Sequence, residues 1–106
     1  MYILLTVWFP ANKSLEVGKK AIEVNEKFPE DNSIMKTILP GDLMRTKDGI
    51  KGISVFEVVE GKFERAYNLA TDILAAYAEV EGLNCRIDTM ATATEAMESI
   101  ELAIPV

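Results

Sequence analysis

The sequence predicts one α+β domain in which two helices pack on one face of a four-stranded antiparallel sheet. Three observations lead to this prediction. The chain has 106 residues, enough for one buried core but too few for a core and a separate catalytic domain. Its residues are 49% hydrophobic and 26% charged, which is typical of a folded domain. Strand and helix patterns follow one another in the order β-α-β-β-α-β, and a short C-terminal helix comes last.

The first unit is a buried strand followed by an amphipathic helix. Residues 2 to 9 are almost all β-branched, aromatic or otherwise apolar, and Pro10 ends the run. Ser14 is predicted to be the N-cap of a helix that continues to about residue 28. The apolar residues of this helix recur at helical spacing and are Val17, Ala21, Val24 and Phe28. One face of the helix is therefore expected to cover a core.

Residues 34 to 59 predict a β-hairpin. In the second strand, residues 34 to 46, the Pro40-Gly41 step is either a bulge in an edge strand or a short excursion between two strand pieces. Asp48-Gly49 predicts the turn, because glycine readily adopts the positive φ that a tight hairpin needs. The third strand covers residues 50 to 59.

The second unit is a longer helix, a fourth strand and a capped C-terminal helix. The helix is predicted over residues 62 to 81, where Gly82 would end it, and its stripe includes Tyr67 and Tyr77. Residues 85 to 91 alternate as a strand, and Thr92 with Glu95 matches a capping box. We therefore predict a single domain over residues 1–106, with its core at 1–92 and a C-terminal helix and tail at 93–106.

Two helices cover only one face of such a sheet, yet two of its strands are apolar on both faces. In the first strand Leu4 and Trp8 lie on the face opposite the predicted core residues. In the third strand Ile53 and Val55 lie on that same outward face. An exposed apolar face of this size is more than monomers usually tolerate. We therefore expect a homodimer or a larger homo-oligomer, with Leu4, Trp8, Ile53 and Val55 in the interface.

The pattern resembles a known superfamily. The element order is that of the ferredoxin-like fold, and the doubly apolar first strand and the stretch VFEVVEGKFERA, residues 55 to 66, resemble the dimeric α/β-barrel superfamily over roughly residues 1–92. That resemblance implies two ferredoxin-like sheets stacked face to face, and a small-ligand-binding protein or small enzyme that acts on a modest apolar or aromatic molecule.

Composition weakens several other classes of function. With 17 acidic and 11 basic residues the net charge is −6, which disfavours nucleic-acid and membrane-surface partners. No apolar run is long enough for a membrane-spanning helix. The lone cysteine, Cys85, is interpreted as a buried structural thiol rather than a nucleophile. A soluble protein in the cytoplasm is the expectation.

The residue types that commonly take part in catalysis do not form a recognisable motif in this sequence. The chain has no histidine, so the commonest general base and metal ligand near neutral pH is missing. No spacing indicates a metal site, and no glycine-rich loop precedes a helix as a phosphate cradle. We therefore expect neither a metal nor a cofactor, and the sequence does not decide whether the protein is an enzyme.

A few residues remain as candidates for a ligand site. Tyr67 and Tyr77 lie on the same apolar stripe of the helix. They either line a pocket or pack their rings in the core with the hydroxyl groups in contact with solvent. Lys36 and Arg45, on the predicted hairpin, either attract an anionic ligand or partner or simply form a solvated edge. Glu57 lies within an apolar strand and is either a catalytic carboxylate in a cavity or the partner of Arg45 or Lys36.

Two functions follow from these candidates. The first is a dimeric protein that binds a small apolar or aromatic molecule, with or without catalysis. The alternative is a non-enzymatic, self-associating regulatory or structural protein. An internal cavity that contains Glu57 and a tyrosine would favour the first, and a solidly packed interior would favour the second.

Overall fold

A four-stranded antiparallel sheet forms the framework of the computed structural model, which describes residues 1–100. Its strands are β1 (Tyr2–Phe9), β2 (Met35–Thr46), β3 (Gly49–Val58) and β4 (Asn84–Met90), in the spatial order β2-β3-β1-β4. β1 and β3 are therefore central, and β2 and β4 are the edges. The predicted α+β class, the antiparallel four-stranded sheet and the sequential element order are confirmed.

Within residues 1–100, three α-helices accompany the sheet. A single 3-10 turn (Ala11–Lys13) leads into α1 (Ser14–Lys27), α2 (Phe63–Tyr77) connects β3 to β4, and α3 (Ala93–Ser99) follows β4. The predicted capping box of α3 is confirmed, because the Thr92 hydroxyl accepts from the Glu95 amide and the Glu95 carboxylate accepts from the Thr92 amide. The tail predicted after this helix lies outside the described residues.

Two predicted helix boundaries are wrong. Ser14 is the first residue of α1 rather than its N-cap, because its hydroxyl donates to the Ala11 carbonyl oxygen of the preceding 3-10 turn (2.7 Å). α2 ends at Tyr77, several residues before Gly82. The chain leaves α2 through successive turns, and Gly82 with its φ of 85° belongs to the link into β4.

The Pro40-Gly41 step is a bulge within a continuous strand. The register between β2 and β3 shifts twice, between Thr37 and Leu39 and again between Pro40 and Asp42. Gly41 has a φ of 101°, a conformation that side chains disfavour and glycine accepts. Of the two predicted alternatives for this step, the bulge is therefore confirmed, and β2 stays paired with β3 on both sides of it.

The core lies between the sheet and helices α1 and α2. Alternate residues of β1 point toward the helices, and Ile3, Leu5 and Phe9 are buried there. Ala66 and Ala70 of α2 are completely buried against this face, since their small side chains let the helix approach the sheet closely. α1 buries only Val17 and Val24, and it packs chiefly against α2 rather than against the strands.

We call the opposite side of the sheet the outer face. The strand registers align it in four rows, each with one residue from β2, β3, β1 and β4 in that order. The rows are Lys36, Glu57, Tyr2 and Met90; Leu39, Val55, Leu4 and Asp88; Asp42, Ile53, Thr6 and Arg86; and Met44, Lys51, Trp8 and Asn84. Leu4, Val55 and Ile53 lie in the middle of this face beside Thr6, and six of the twelve positions around them are charged.

One ion pair joins the two core-covering helices. The Lys20 ammonium of α1 donates to the carboxylate of Glu79, just beyond α2, at 2.6 Å. This hydrogen bond is the main cause of a lowered pKa at Glu79 and of a raised pKa at Lys20. The pair therefore favours the folded state at pH values where both groups are charged.

Replacing Glu79 with glutamine should lower the melting temperature modestly at neutral pH. Because the pKa of Glu79 lies below its ordinary 4.5 in the folded state, its contribution is present above pH 4.5 and is lost as the pH falls through the folded value. The gap between wild type and Glu79→Gln in thermal melts should therefore close on acidification. Glu26→Gln, at an exposed position of α1, is the control. A gap that does not narrow as the pH falls below 4.5 would contradict this assignment.

Candidate functional site

A cavity of about 440 Å³ lies between the sheet and helices α1 and α2. Its floor is the helix side of β1, β2 and β3, including Leu5, Phe56 and Ser54. Its roof consists of apolar side chains from both helices. These are Val17, Ala21 and Val24 of α1, and Leu69, Ile73, Leu74 and Tyr77 of α2. The interior on this side of the sheet is therefore not solidly packed.

Small residues face the cavity from two directions. In the floor, Gly52 and Ser54 occupy helix-side positions of β3 where the neighbouring strands carry larger side chains. In the roof, Gly18 and Ala21 occupy the corresponding stretch of α1. At Gly18 an added Cβ would meet no atom within 4 Å, so the roof is open there. At Gly52, by contrast, the side chains of Leu43 and Val7 already fill the space above the backbone.

The opening lies between α1 and the edge strand β2. The exposed members of the lining are in α1, in the α1–β2 connection or in β2, whereas the members from β1 and α2 are buried or half-buried. Leu43 of β2 is 62% exposed at this rim, and Leu15 and Ile22 are exposed on α1. Leu15 and Ile22 do not line the cavity, and its exposed lining combines apolar groups such as Leu43 with polar ones such as Asn25 and Glu30.

Polar groups occur at a few places in the lining. The hydroxyls of Ser54, Thr37 and Tyr77 belong to the interior walls. Burial raises the pKa of the Tyr77 phenol above its ordinary 10.0, so the group is protonated at neutral pH and is available as a hydrogen-bond donor. The carboxylates of Glu30 and Asp31 lie at the exposed end of the cavity.

Both carboxylates are engaged with nearby backbone. Glu30 accepts from the Thr37 amide at 3.3 Å, and Asp31 accepts from the amide and the hydroxyl of Ser33 at 3.0 and 2.5 Å. The bond from the Ser33 hydroxyl is the main reason that the pKa of Asp31 is below its ordinary 3.8. Asp31 is therefore ionised at neutral pH. Arg65 of α2 adds to this effect electrostatically, but it does not line the cavity.

The two predicted ligand-binding tyrosines have different environments. Tyr77 lines the cavity from the last turn of α2. Tyr67 lies outside it, 37% exposed, with its ring 5.7 Å from the ring of Phe63. Although the two residues share one sequence stripe, they are nearly three turns apart, and only the later one reaches the space beneath α1.

Lys36 and Arg45 do not line the cavity either. Lys36 lies on the outer face, opposite Glu57 in the register, and Arg45 lies opposite Ile50 near the hairpin turn. Both side chains are exposed. The structure therefore separates these two basic residues from each other and from Tyr77, and whether they attract an anionic ligand or form a solvated edge stays open.

Glu57 is not buried in a cavity. It lies near the end of β3 on the outer face, between Lys36 of β2 and Tyr2 of β1, and it is exposed. Of the two alternatives for this residue, the structure does not support a carboxylate within a cavity, because the position near the strand end leaves the side chain in solvent. The register also rules out pairing with Arg45. Lys36 is its cross-strand neighbour, although no ion pair joins the two within residues 1–100.

The four residues expected at a dimer interface share the outer face. Leu4 is opposite Val55, Ile53 is in the next row, and Trp8 is in the row beyond it. All four are half-buried by their neighbours in the sheet. The Lys51 ammonium and the Arg86 guanidinium lie 5.7 and 5.5 Å from the centre of the Trp8 ring, within cation–π range.

Cys85 is exposed, so its interpretation as a buried thiol is wrong. It is the second residue of β4, opposite Val7. Since β4 is an edge strand, it has a neighbouring strand on one side only. Cys85 does not belong to the lining of the cavity.

The sequence interpretation missed most of the cavity wall. Ser54, Thr37 and Ala21 are small, uncharged residues, which carry no distinctive chemical signature in a sequence. One signal was present: Gly52 and Ser54 interrupt the helix-side positions of an otherwise apolar strand. Such a pair of small residues in a central strand indicates either a close approach of another chain segment or a cavity.

No group of three or more potential metal ligands occurs within residues 1–100. No helix in that part of the chain combines the length and apolarity needed to cross a membrane. No family model matches the sequence, and no curated protein matches it.

Proposed function

We propose that this protein is a homodimer that binds a small apolar or aromatic molecule in the cavity between its sheet and helices α1 and α2. The cavity is the observation that carries the proposal. Its volume of about 440 Å³ is within the range of small-molecule sites, which are mostly apolar and contain a few polar groups. The residues Leu5, Phe56 and Ile73 supply apolar contacts, and the hydroxyls of Ser54 and Tyr77 supply hydrogen bonds.

The dimer belongs to the same proposal. We assign the chain to the ferredoxin-like fold and its assembly to the dimeric α/β-barrel type, in which two sheets stack through their outer faces. The β-α-β-β-α-β order supports this assignment, as does the placement of α1 and α2 on one side of the sheet only. A location in the cytoplasm completes the proposal.

Charge also favours a second copy as the occupant of the outer face. The chain as a whole has a net charge of −6, yet the four rows of the outer face contain three basic and three acidic residues. A face without net charge does not repel its own copy, and in a twofold dimer each cation can meet an anion of the partner. The basic residues are Lys36, Lys51 and Arg86, and the acidic ones are Asp42, Glu57 and Asp88.

Ligand binding is tested by filling the cavity. Wild-type protein should enhance the fluorescence of the neutral probe N-phenyl-1-naphthylamine, because the probe fluoresces more strongly in apolar surroundings. In Ala21→Trp the indole would occupy the space beneath α1, so the affinity should fall about tenfold or more. Ala75→Trp places the same side chain on the exposed side of α2 and should bind like wild type. If wild type binds no probe, or if both variants bind equally, the cavity is not a binding site.

The alternative is a self-associating protein that binds no ligand. The outer face favours self-association in either case, so the state of the cavity distinguishes the two functions. A dimer that binds no small apolar molecule would support the alternative. Native mass spectrometry of the purified protein distinguishes them directly, since a bound ligand adds non-covalent mass to the dimer.

A further inference from the structure

Three hydroxyl groups in the cavity wall, those of Ser54, Thr37 and Tyr77, make no hydrogen bond to the protein within residues 1–100, and two of them lie on opposite walls. Ser54 is in the floor, in a helix-side row between Pro40 of β2 and Leu5 of β1, and Tyr77 is in the roof. No fully buried side-chain polar atom lacks a partner within residues 1–100, so these two hydroxyls are accessible from the cavity rather than sealed in the core. Both groups are therefore available to a ligand.

The charged residues of the cavity lining are all negative. Among the lining residues of the described part of the chain there is no lysine or arginine, and the charged groups are the carboxylates of Glu30 and Asp31. Both lie at the exposed end, where a ligand would enter. An anionic group brought into this cavity would lose its hydration without gaining a cation, and it would pass two carboxylates on the way.

From these two observations we propose that the ligand is an uncharged molecule with an apolar body and a hydroxyl or carbonyl group, and that the cavity rejects carboxylates of the same shape. The polar group of the ligand exchanges hydrogen bonds with Ser54 and Tyr77, and its apolar body lies against Leu5, Phe56 and Ile73. This inference rests on the proposed ligand-binding function and adds the chemical class of the ligand.

The test compares two molecules that differ in charge and little else. Methyl 2-naphthoate is neutral, whereas 2-naphthoate is an anion with the same ring system and a carbonyl in the same place. Equilibrium dialysis at neutral pH should show that the ester binds at least about ten times more tightly than the acid. Equal or tighter binding of the acid would overturn the charge assignment and leave the binding function intact. If the ester, the acid and the neutral fluorescent probe all fail to bind, the binding function itself is wrong.

The assigned hydroxyls are tested separately with 2-naphthol. Ser54→Ala and Tyr77→Phe each remove one hydrogen-bonding group and little volume, so each should weaken naphthol binding about three- to tenfold. Tyr67→Phe makes the same change on the same helix outside the cavity and should have no effect. Unchanged melting temperatures would show that all three variants are folded. If Tyr77→Phe and Ser54→Ala bind naphthol like wild type, these hydroxyls do not contact the ligand.

Discussion

Replacing Val55 with glutamate is expected to convert the proposed dimer to a monomer. Val55 lies on the central strand β3, next to Leu4 of β1 and Leu39 of β2 in the same row of the outer face. In a twofold assembly through this face, each substitution is repeated in the partner, so two carboxylates would enter one apolar interface. Burial of an unpaired charge costs several kcal/mol per ion, which is enough to dissociate an ordinary dimer.

The measurement is the solution mass by light scattering after gel filtration, over a range of protein concentrations. Ile22→Glu is the matched control, since it introduces the same charge at an exposed apolar position of α1, on the other side of the sheet. Trp8, the only tryptophan, provides a second measurement, because its emission should shift to longer wavelength when the outer face becomes exposed. A monomeric wild type, or a Val55→Glu protein that remains a dimer, would contradict the assignment of this face.

Replacing Gly49 with alanine is expected to destabilise the fold by about 3 kcal/mol, with a decrease in melting temperature of roughly 10 to 20 °C. Gly49 follows the hairpin turn between β2 and β3 and has a φ of 149°, which non-glycine residues rarely adopt. An added Cβ would also overlap the carbonyl oxygen of Phe9 on β1. The substitution therefore strains the turn and disturbs the pairing of the two central strands.

Gly18→Ala is the matched control for this prediction. Gly18 lies within α1, has no positive φ, and an added Cβ would meet no atom within 4 Å. Because alanine favours the helix over glycine by about 0.5 to 1 kcal/mol, this variant should be slightly more stable than wild type. Thermal denaturation followed by circular dichroism compares the two. If Gly49→Ala melts like wild type, the turn does not have the conformation described above.

The sequence predicted the faces of the central strands correctly. β1 and β3 pair residue by residue without a bulge, and successive side chains in each strand point to opposite faces of the sheet. For this reason Leu4, Trp8, Ile53 and Val55 were correctly expected to share one face, whichever strands turned out to be neighbours. Whether a second copy covers that face stays a prediction, because pairing between copies depends on shape and charge across the whole surface.

The candidate site was predicted less well, for reasons visible in single residues. Tyr67 and Tyr77 are equivalent in the helical pattern, but only the packing of α1 against the end of α2 determines which of them borders an empty space. Glu57 has apolar neighbours in sequence, yet its position near the end of β3 leaves it in solvent. A sequence pattern does not show where neighbouring elements stop burying a strand. It also does not show the distance between a helix and a sheet.

The sequence by itself therefore determined the type of each element, the face of each central-strand residue and the glycine at the hairpin turn, since these follow from local backbone geometry and periodicity. Only the tertiary structure decided that α1 packs against α2 and that a cavity remains between these two helices and the sheet. The physical reason is that a cavity is the volume left between side chains far apart in sequence, so it depends on how the elements are arranged in space.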